Sequence, residues 1–208
     1  MSNKINTQKL VYTGLLAALA GVLMSLEFSI PFFPPFYKID FSDMPTLIAL
    51  FSMGPFSALF VEVSKIVIKL ITIGTSSMFV GDLTNILGAV VLVLPVWFLY
   101  KRTDKTQKSI VRVLFISALI RIAWFCFCNA FISLPMYAAA MGIDIDEVVR
   151  MVGSMNPMIK NLPTFIIFAT IPFNIIKMGL VYTLAAVVNL KIKDVMPNLL
   201  SVNSTSRA

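Results

Sequence analysis

Apolar residues along this chain come in long blocks broken by short polar ones, and the block lengths decide the element type. A helix needs about 20 apolar residues to cross a hydrocarbon layer about 30 Å thick, and residues 10–30, 83–100, 110–140 and 162–190 come near or exceed that length. The pattern predicts membrane-spanning helices. After the first block comes "PFFPPFYKIDFSDMP", residues 31–45, whose four prolines and five aromatic residues exclude one regular helix and predict a structured loop. Residues 46–73 are apolar again, interrupted at Gly54-Pro55. Polar connections follow at 74–82 ("GTSSMFVGD"), 101–108 ("KRTDKTQK") and 141–161. The last is amphipathic, and the spacing of Asp144 and Glu147 predicts a capping box that opens a short lid helix.

Whether residues 46–73 make one span or two hinged at Gly54-Pro55 decides the topology, and charge chooses between them. One span puts Lys4 and Lys9 on the opposite side from the basic 101–108 loop; two spans put both of these, with Lys191 and Lys193, on one side. Positive charge concentrates on cytoplasmic loops. The expected fold is therefore an all-α integral membrane protein of six transmembrane helices with both termini cytoplasmic. The first helix of the hinged pair is short, and the loops 31–45, 74–82 and 141–161 face outward. Residues 1–9 read as a cytoplasmic N-terminus, 10–190 as the membrane domain and 191–208 as a disordered cytoplasmic tail.

Composition agrees with that architecture and removes several function classes. The 208 residues are 58% hydrophobic and 13% charged, against roughly a quarter charged in soluble domains, and mean hydropathy is +0.89. The first block has no small-residue cleavage site and reads as a span rather than a removable leader. The net charge of +7 sits at span ends, where it sets orientation and meets anionic lipid rather than nucleic acid. Cys126 and Cys128 point in different directions on one helix and imply neither a disulfide nor a metal site. The chain has no histidine, no phosphate-binding GxxxxGK[ST] loop and no nucleophile elbow. No enzyme and no bound cofactor is expected, and ATP cannot be hydrolysed by this chain alone.

Ionisable groups inside apolar spans are costly and mark functional sites. Lys177 lies 14 residues before Lys191, about 21 Å along a helix at about 1.5 Å per residue, too deep to reach either interface easily. Asn174 shares its face, and Pro172 frees a carbonyl just before them. Lys177 either meets a ligand or pairs with a carboxylate such as Glu62 or Asp82. Glu62, Lys65 and Lys69 form one polar stripe, either an ion-pair ladder or a ligand surface. Arg121 is deep and requires a partner, and Asn129 is a second deep amide. Near them the sequence places Phe32, Phe33, Phe36, Tyr37, Phe41, Met78, Phe79, Phe131, Met136, Tyr137 and Phe173, a set that suits a flat organic ligand with a hydrogen-bonding edge. On the first span Thr13, Ala17 and Gly21 recur at steps of four, with Gly14 and Ala18 beside them. That stripe either packs an internal neighbour or docks a separate membrane subunit.

The combination "FSIPFFPP", "KIDFSDMP", "GPFSALFVEVSKIVIKL", "NAFISLPMY" and "IPFNIIK", covering residues 8–190, resembles the riboflavin-specific substrate-binding subunits (S components) of energy-coupling-factor (ECF) vitamin transporters of bacteria. The resemblance implies capture of riboflavin from outside the cell membrane, with energy from a partner transmembrane coupling subunit and two ATPase subunits. It implies that Asn129, Asn174 and Lys177 meet the flavin edge, with Asp43, Thr46 and the loop residue Gly81 as further substrate contacts. The small-residue motif, here Ala17-xxx-Gly21, would dock the coupling subunit. A flavin's pyrimidine edge has two carbonyl acceptors and one N–H donor, which two amides and an ammonium can satisfy. Two alternatives remain: a subunit for another vitamin or flat heterocycle, and a structural assembly protein without a small ligand.

Overall fold

The computed structural model describes residues 7–75 and 77–195. The chain is mostly helical: α1 Thr7–Ser25, α2 Asp43–Met53, α3 Pro55–Thr72, α4 Val80–Lys101, α5 Gln107–Cys128, α6 Leu134–Met141, α7 Ile145–Gly153, α8 Leu162–Phe165 and α9 Ile171–Val195. Among the described residues four helical stretches are long and apolar enough to cross a membrane: Thr7–Ser25, Val80–Lys101, Gln107–Met141 and Leu162–Val188. Their outer faces carry large apolar side chains such as Leu15, Phe98, Phe115 and Ile175, which is stable against lipid and not against water. Helix α9 continues to Val195, past the expected end at 190. The termini expected at 1–9 and 191–208 lie mostly outside the described residues.

The apolar run 46–73 does divide at Gly54. Its φ of 94° is a left-handed conformation that a side chain resists, and its N–H caps α2 by donating to the Ala49 and Leu50 carbonyls. Pro55 then opens α3, where a missing N–H costs nothing. At 11 residues, α2 is about 16 Å long, about half of a bilayer core. Every residue of α2 except Met44 is buried, because α1, α3, α4 and α9 surround it. Helix α3 is inverted relative to a soluble helix: Glu62, Lys65 and Lys69 face inward, and Phe56, Phe60, Val63, Val67 and Ile71 face out.

Two corrections to the all-α reading follow from proline. Pro31, Pro34 and Pro35 keep residues 26–42 out of helix, and the segment closes as a two-residue antiparallel ribbon, β1 Phe28–Ser29 against β2 Lys38–Ile39. Two helices also contain a π-helical turn, Asn129–Ser133 between α5 and α6 and Ile166–Thr170 between α8 and α9. Each turn ends two residues before a proline, Pro135 or Pro172. Proline removes an N–H and crowds the preceding carbonyl, and widening the helix by one residue relieves that conflict.

The buried apolar side chains form two clusters. One surrounds α2 and includes Leu50, Val61, Val96, Ile110, Val181 and Ala185. The other joins the 28–41 segment to α6, α7, α8 and the start of α9 through Ile39, Leu134, Val149, Phe165 and Phe173. Helix α7 is the short helix expected over residues 144–153, and Asp144 is its N-cap. No side-chain capping bond forms, so the predicted capping box is absent.

Candidate functional site

A polar cavity of about 100 Å³ opens among the 27–40 segment, α4, the first π-helical turn and α9. Four of the expected contacts line it: Gly81, Asn129, Asn174 and Lys177. They come from three helices, brought together because both widened helices turn an asparagine inward beside its π-helical turn. Asn129 begins the first such turn, and its Nδ2 donates to the Phe125 carbonyl at 2.8 Å. Asn174 follows the second, and its Nδ2 donates to the Thr170 carbonyl at 2.8 Å. Gly81 lies in the first turn of α4 rather than in a loop. A Cβ there would meet Ser77 Oγ at 2.7 Å, so a side chain at this position would require Ser77 to turn aside.

Tyr37 joins the two turns. Its hydroxyl donates to Asn129 Oδ1 at 2.8 Å and shares a hydrogen bond with Thr170 Oγ1, also at 2.8 Å. The ring packs against Phe173 at 4.8 Å and makes an edge contact with Phe36. Of the aromatic residues noted in the sequence, Phe36, Tyr37, Tyr137 and Phe173 line this cavity. Phe32, Phe79 and Phe131 are exposed instead.

Lys177 resolves one open choice in an unexpected way. Its ammonium pairs with a carboxylate, but that carboxylate is Asp40, at 2.8 Å, rather than Glu62 or Asp82. Its Nζ also lies 3.4 Å from the Lys38 carbonyl and faces the cavity. An ammonium has three protons, so a third remains to point at a ligand. Burial alone would push the Asp40 carboxyl up; the Lys177 ammonium, with Lys65 behind it, holds the group below the usual carboxylate range. Asp40 is fixed further by bonds from the Ser42 N–H, at 2.9 Å, and the Ser42 hydroxyl.

Asp43 and Thr46 do not line the cavity. They belong to a charged layer behind it, which also answers the question posed by the α3 stripe. Lys65 donates to Asp43 at 2.5 Å and Glu62 at 2.7 Å, Thr46 donates to Glu62 at 2.5 Å, and Arg121 reaches Asp43 at 2.6 Å. Lys69 pairs with Asp82 at 3.0 Å and with Glu27 at 3.3 Å, and Glu27 also holds Lys38. Each buried cation thus has a carboxylate, which is the condition for keeping charge in an apolar interior. The stripe is an ion-pair ladder. Glu27, Lys38 and Lys69 extend it to the cavity wall, where Thr84 and Asn85 add uncharged polar groups. Sequence reading missed Asp40, Tyr37 as a hydrogen-bonding residue, and Asn85. Only Asp40 carried a signal, as the second acidic residue of "KIDFSD".

The small-residue stripe of α1 has an internal neighbour. Thr13, Ala17 and Gly21 are buried within the chain, and a Cβ on Gly21 would come 2.6 Å from Ile68. Ala17 and Gly21 therefore serve the packing of α1 on α3 within this chain. The neighbouring face, Gly14, Ala18 and Val22, is exposed, and nothing stands within 4 Å of a Cβ placed on Gly14.

The family described as "ECF transporter, substrate-specific component" matches residues 8–189. A protein named riboflavin transporter RibU from Staphylococcus aureus is 32% identical over 84% of this chain and 86% of its own length. Another, named riboflavin transporter FmnP from Bacillus subtilis, is 31% identical over 86% of this chain and 88% of its own. The solved S component of a bacterial ECF transporter superposes with a TM-score of 0.71 at 26% identity, covering 92% of this chain and 99% of that one. An inward-facing charged layer, a polar cavity at one end of a helical bundle and a match along nearly its whole length place this chain in the family of ECF transporter substrate-specific components.

Proposed function

We propose that this chain captures riboflavin for uptake, binding it in the cavity between Tyr37, Asn129, Asn174 and Lys177. The observation that carries the reading is the convergence of two asparagines and a lysine on one polar face bordered by rings. The lysine's free proton and an amide N–H donate to the two pyrimidine carbonyls, and an amide oxygen accepts from the imide N–H. The ribityl hydroxyls meet the Glu27, Lys69 and Asn85 side of the same cavity, and the Gly81 backbone approaches the ring. Asp43 acts behind these contacts by holding Lys65 and Arg121, and Thr46 by donating to Glu62. The names of the relatives from Staphylococcus aureus and Bacillus subtilis support riboflavin over another flat heterocycle.

Capture involves no covalent step. The membrane arrangement is six segments, formed by α1, α2, α3, α4, α5 with α6, and α8 with α9. Both termini lie on the cytoplasmic side of a bacterial cell membrane, and the 28–41 and 142–161 segments face outward. Energy comes from a transmembrane coupling subunit and two ATPase subunits, with the exposed Gly14 and Ala18 face of α1 as the docking surface, since small side chains let helices approach closely in lipid. The absorption spectrum of the purified protein tests the ligand. Visible flavin bands after expression in riboflavin-containing medium are expected; a colourless protein that also takes up no added riboflavin overturns the reading. A competition panel of flat vitamins then separates riboflavin from other heterocycles.

A further inference from the structure

Helix α7 covers a second cavity, of about 420 Å³, whose wall is rich in sulfur. Four of the chain's 12 methionines border it: Met78 in the connection between α3 and α4, Met141 at the end of α6, Met151 on α7 and Met155 just after that helix. They come from separate parts of the chain, so the fold rather than a local repeat gathers them. Among the described residues no charged side chain borders the cavity, and Val148 and Val152 complete its apolar wall. Each of the four side chains is about half open, between 43% exposed at Met141 and 54% at Met78. Met24, Met53 and Met178, inside the helical bundle, are 2% exposed or less.

We propose that these four methionines form a site of reversible oxidation by peroxides, and that their conversion to sulfoxides loosens helix α7. The inference rests on the outward placement of the 142–161 segment given above and needs no bound riboflavin. The step is an oxygen-atom transfer. A thioether lone pair attacks one oxygen of hydrogen peroxide, the O–O bond breaks as the S–O bond forms, and the departing hydroxide takes the proton from the transferred oxygen and leaves as water. Sulfur gives up two electrons and the peroxide receives them. Susceptibility rises with exposure, and the outward side lies beyond the thiol systems that keep the cytosol reduced.

Helix α7 responds because packing alone holds it. Its nine residues fall short of the roughly 12–15 that an isolated helix needs in water. Val148, Val149 and Val152 fix its inner face against Ile39, Leu134 and Phe165, and flexible thioethers fill the irregular space beside them. A sulfoxide adds a strong acceptor to that wall. Among the described residues the side-chain donors there are the hydroxyls of Ser77, Tyr137 and Ser154, and Ser154 already donates to the Met151 carbonyl at 2.6 Å. An oxidised side chain finds its better partner in water, turns outward and takes apolar packing away from α7.

The test treats the purified full-length chain in detergent with hydrogen peroxide and makes two readings. Peptide mass spectrometry locates the sulfoxides, and trypsin cleavage after Arg150, an exposed residue within α7, reports whether the helix has opened. Sulfoxides are expected at the four positions at least about tenfold faster than at Met24, Met53 and Met178. Cleavage after Arg150 should rise about threefold or more as they form. Methionine sulfoxide reductases A and B should reverse both changes; reversal by thiol reductant alone would assign the effect to Cys126 or Cys128 and overturn the proposal. Met151→Leu with Met155→Leu keeps the wall apolar at similar volume and should abolish the rise in cleavage, and either single variant should lessen it if the pair does not fold. Met158→Leu, at a position 56% exposed but outside the cavity, should leave the rise intact. Equal oxidation of buried and cavity methionines, unchanged cleavage once all four are oxidised, or a rise that survives the leucine substitutions overturns the proposal. A chain that shows the expected pattern yet binds no riboflavin overturns the ligand reading alone.

Discussion

Lys177 carries its charge inside an apolar helix, and its energetics depend on the group it pairs with. The sequence marks it as too deep for an unpaired ammonium, and the structure gives it Asp40 as partner at 2.8 Å. Removing one member of a buried pair strands the other, at a cost of about 3–5 kcal/mol. Lys177→Met is therefore expected to lower the thermal midpoint in detergent as well as to abolish flavin binding, so it cannot by itself separate fold from function. Asp40→Asn combined with Lys177→Met removes both charges. The double variant should recover most of the lost midpoint and still fail to bind riboflavin; recovery of binding would assign Lys177 a purely structural role. Tyr37 is the second telling residue. Tyr37→Phe removes the hydroxyl that joins Asn129 to Thr170, and leaving those buried groups unpaired costs about 1–3 kcal/mol. A lower midpoint and weaker flavin affinity together are expected, and unchanged values for both would show that the link is not needed.

At the scale of elements, legibility followed hydrophobic contrast. Helices α1, α4, α5 and α9 stand out because apolar blocks with polar ends are what a bilayer selects. The break in residues 46–73 was visible in Gly54-Pro55, since no other pair both ends a helix and begins one so directly. Gly54→Ala places a Cβ at a φ of 94°, a left-handed strain of about 1–2 kcal/mol. A corresponding fall in midpoint is expected, and no change would mean that the hinge relaxes freely. What was not legible is the environment of α2. An apolar run looks the same whether it faces lipid or protein, and α2 faces protein on nearly every side. The π-helical turns were hidden for a similar reason: Pro135 and Pro172 mark where the ladder breaks, but not how the chain repairs it. The candidate site inherits this gap. Asn129, Asn174 and Lys177 could be named from their cost in an apolar span, whereas Asp40 sits 137 positions before Lys177, and no local pattern pairs them.

For the whole molecule, the division of labour between faces matters most. Small residues occur on two sides of α1, and no charge in the sequence distinguishes the inner from the outer. The structure does, with Gly21 against Ile68 and Gly14 open. Gly21→Leu is expected to destabilise the isolated chain by about 1–3 kcal/mol through overpacking. Gly14→Leu should leave stability and riboflavin affinity unchanged but reduce uptake in cells that carry the coupling and ATPase subunits. Equal effects of the two substitutions on stability would contradict the assignment of faces. The two apolar clusters and the charged layer between cavity and core give the rest of the molecule its role: they hold α3, α5 and α9 in register so that the cavity's amides and ammonium point at one place. The most direct test of that claim is a fluorescence titration of riboflavin with the purified chain in detergent. Saturable quenching at one flavin per chain, absent in the Asp40→Asn/Lys177→Met double variant, is the predicted result; no quenching by the unaltered protein, or equal quenching by both, would contradict it.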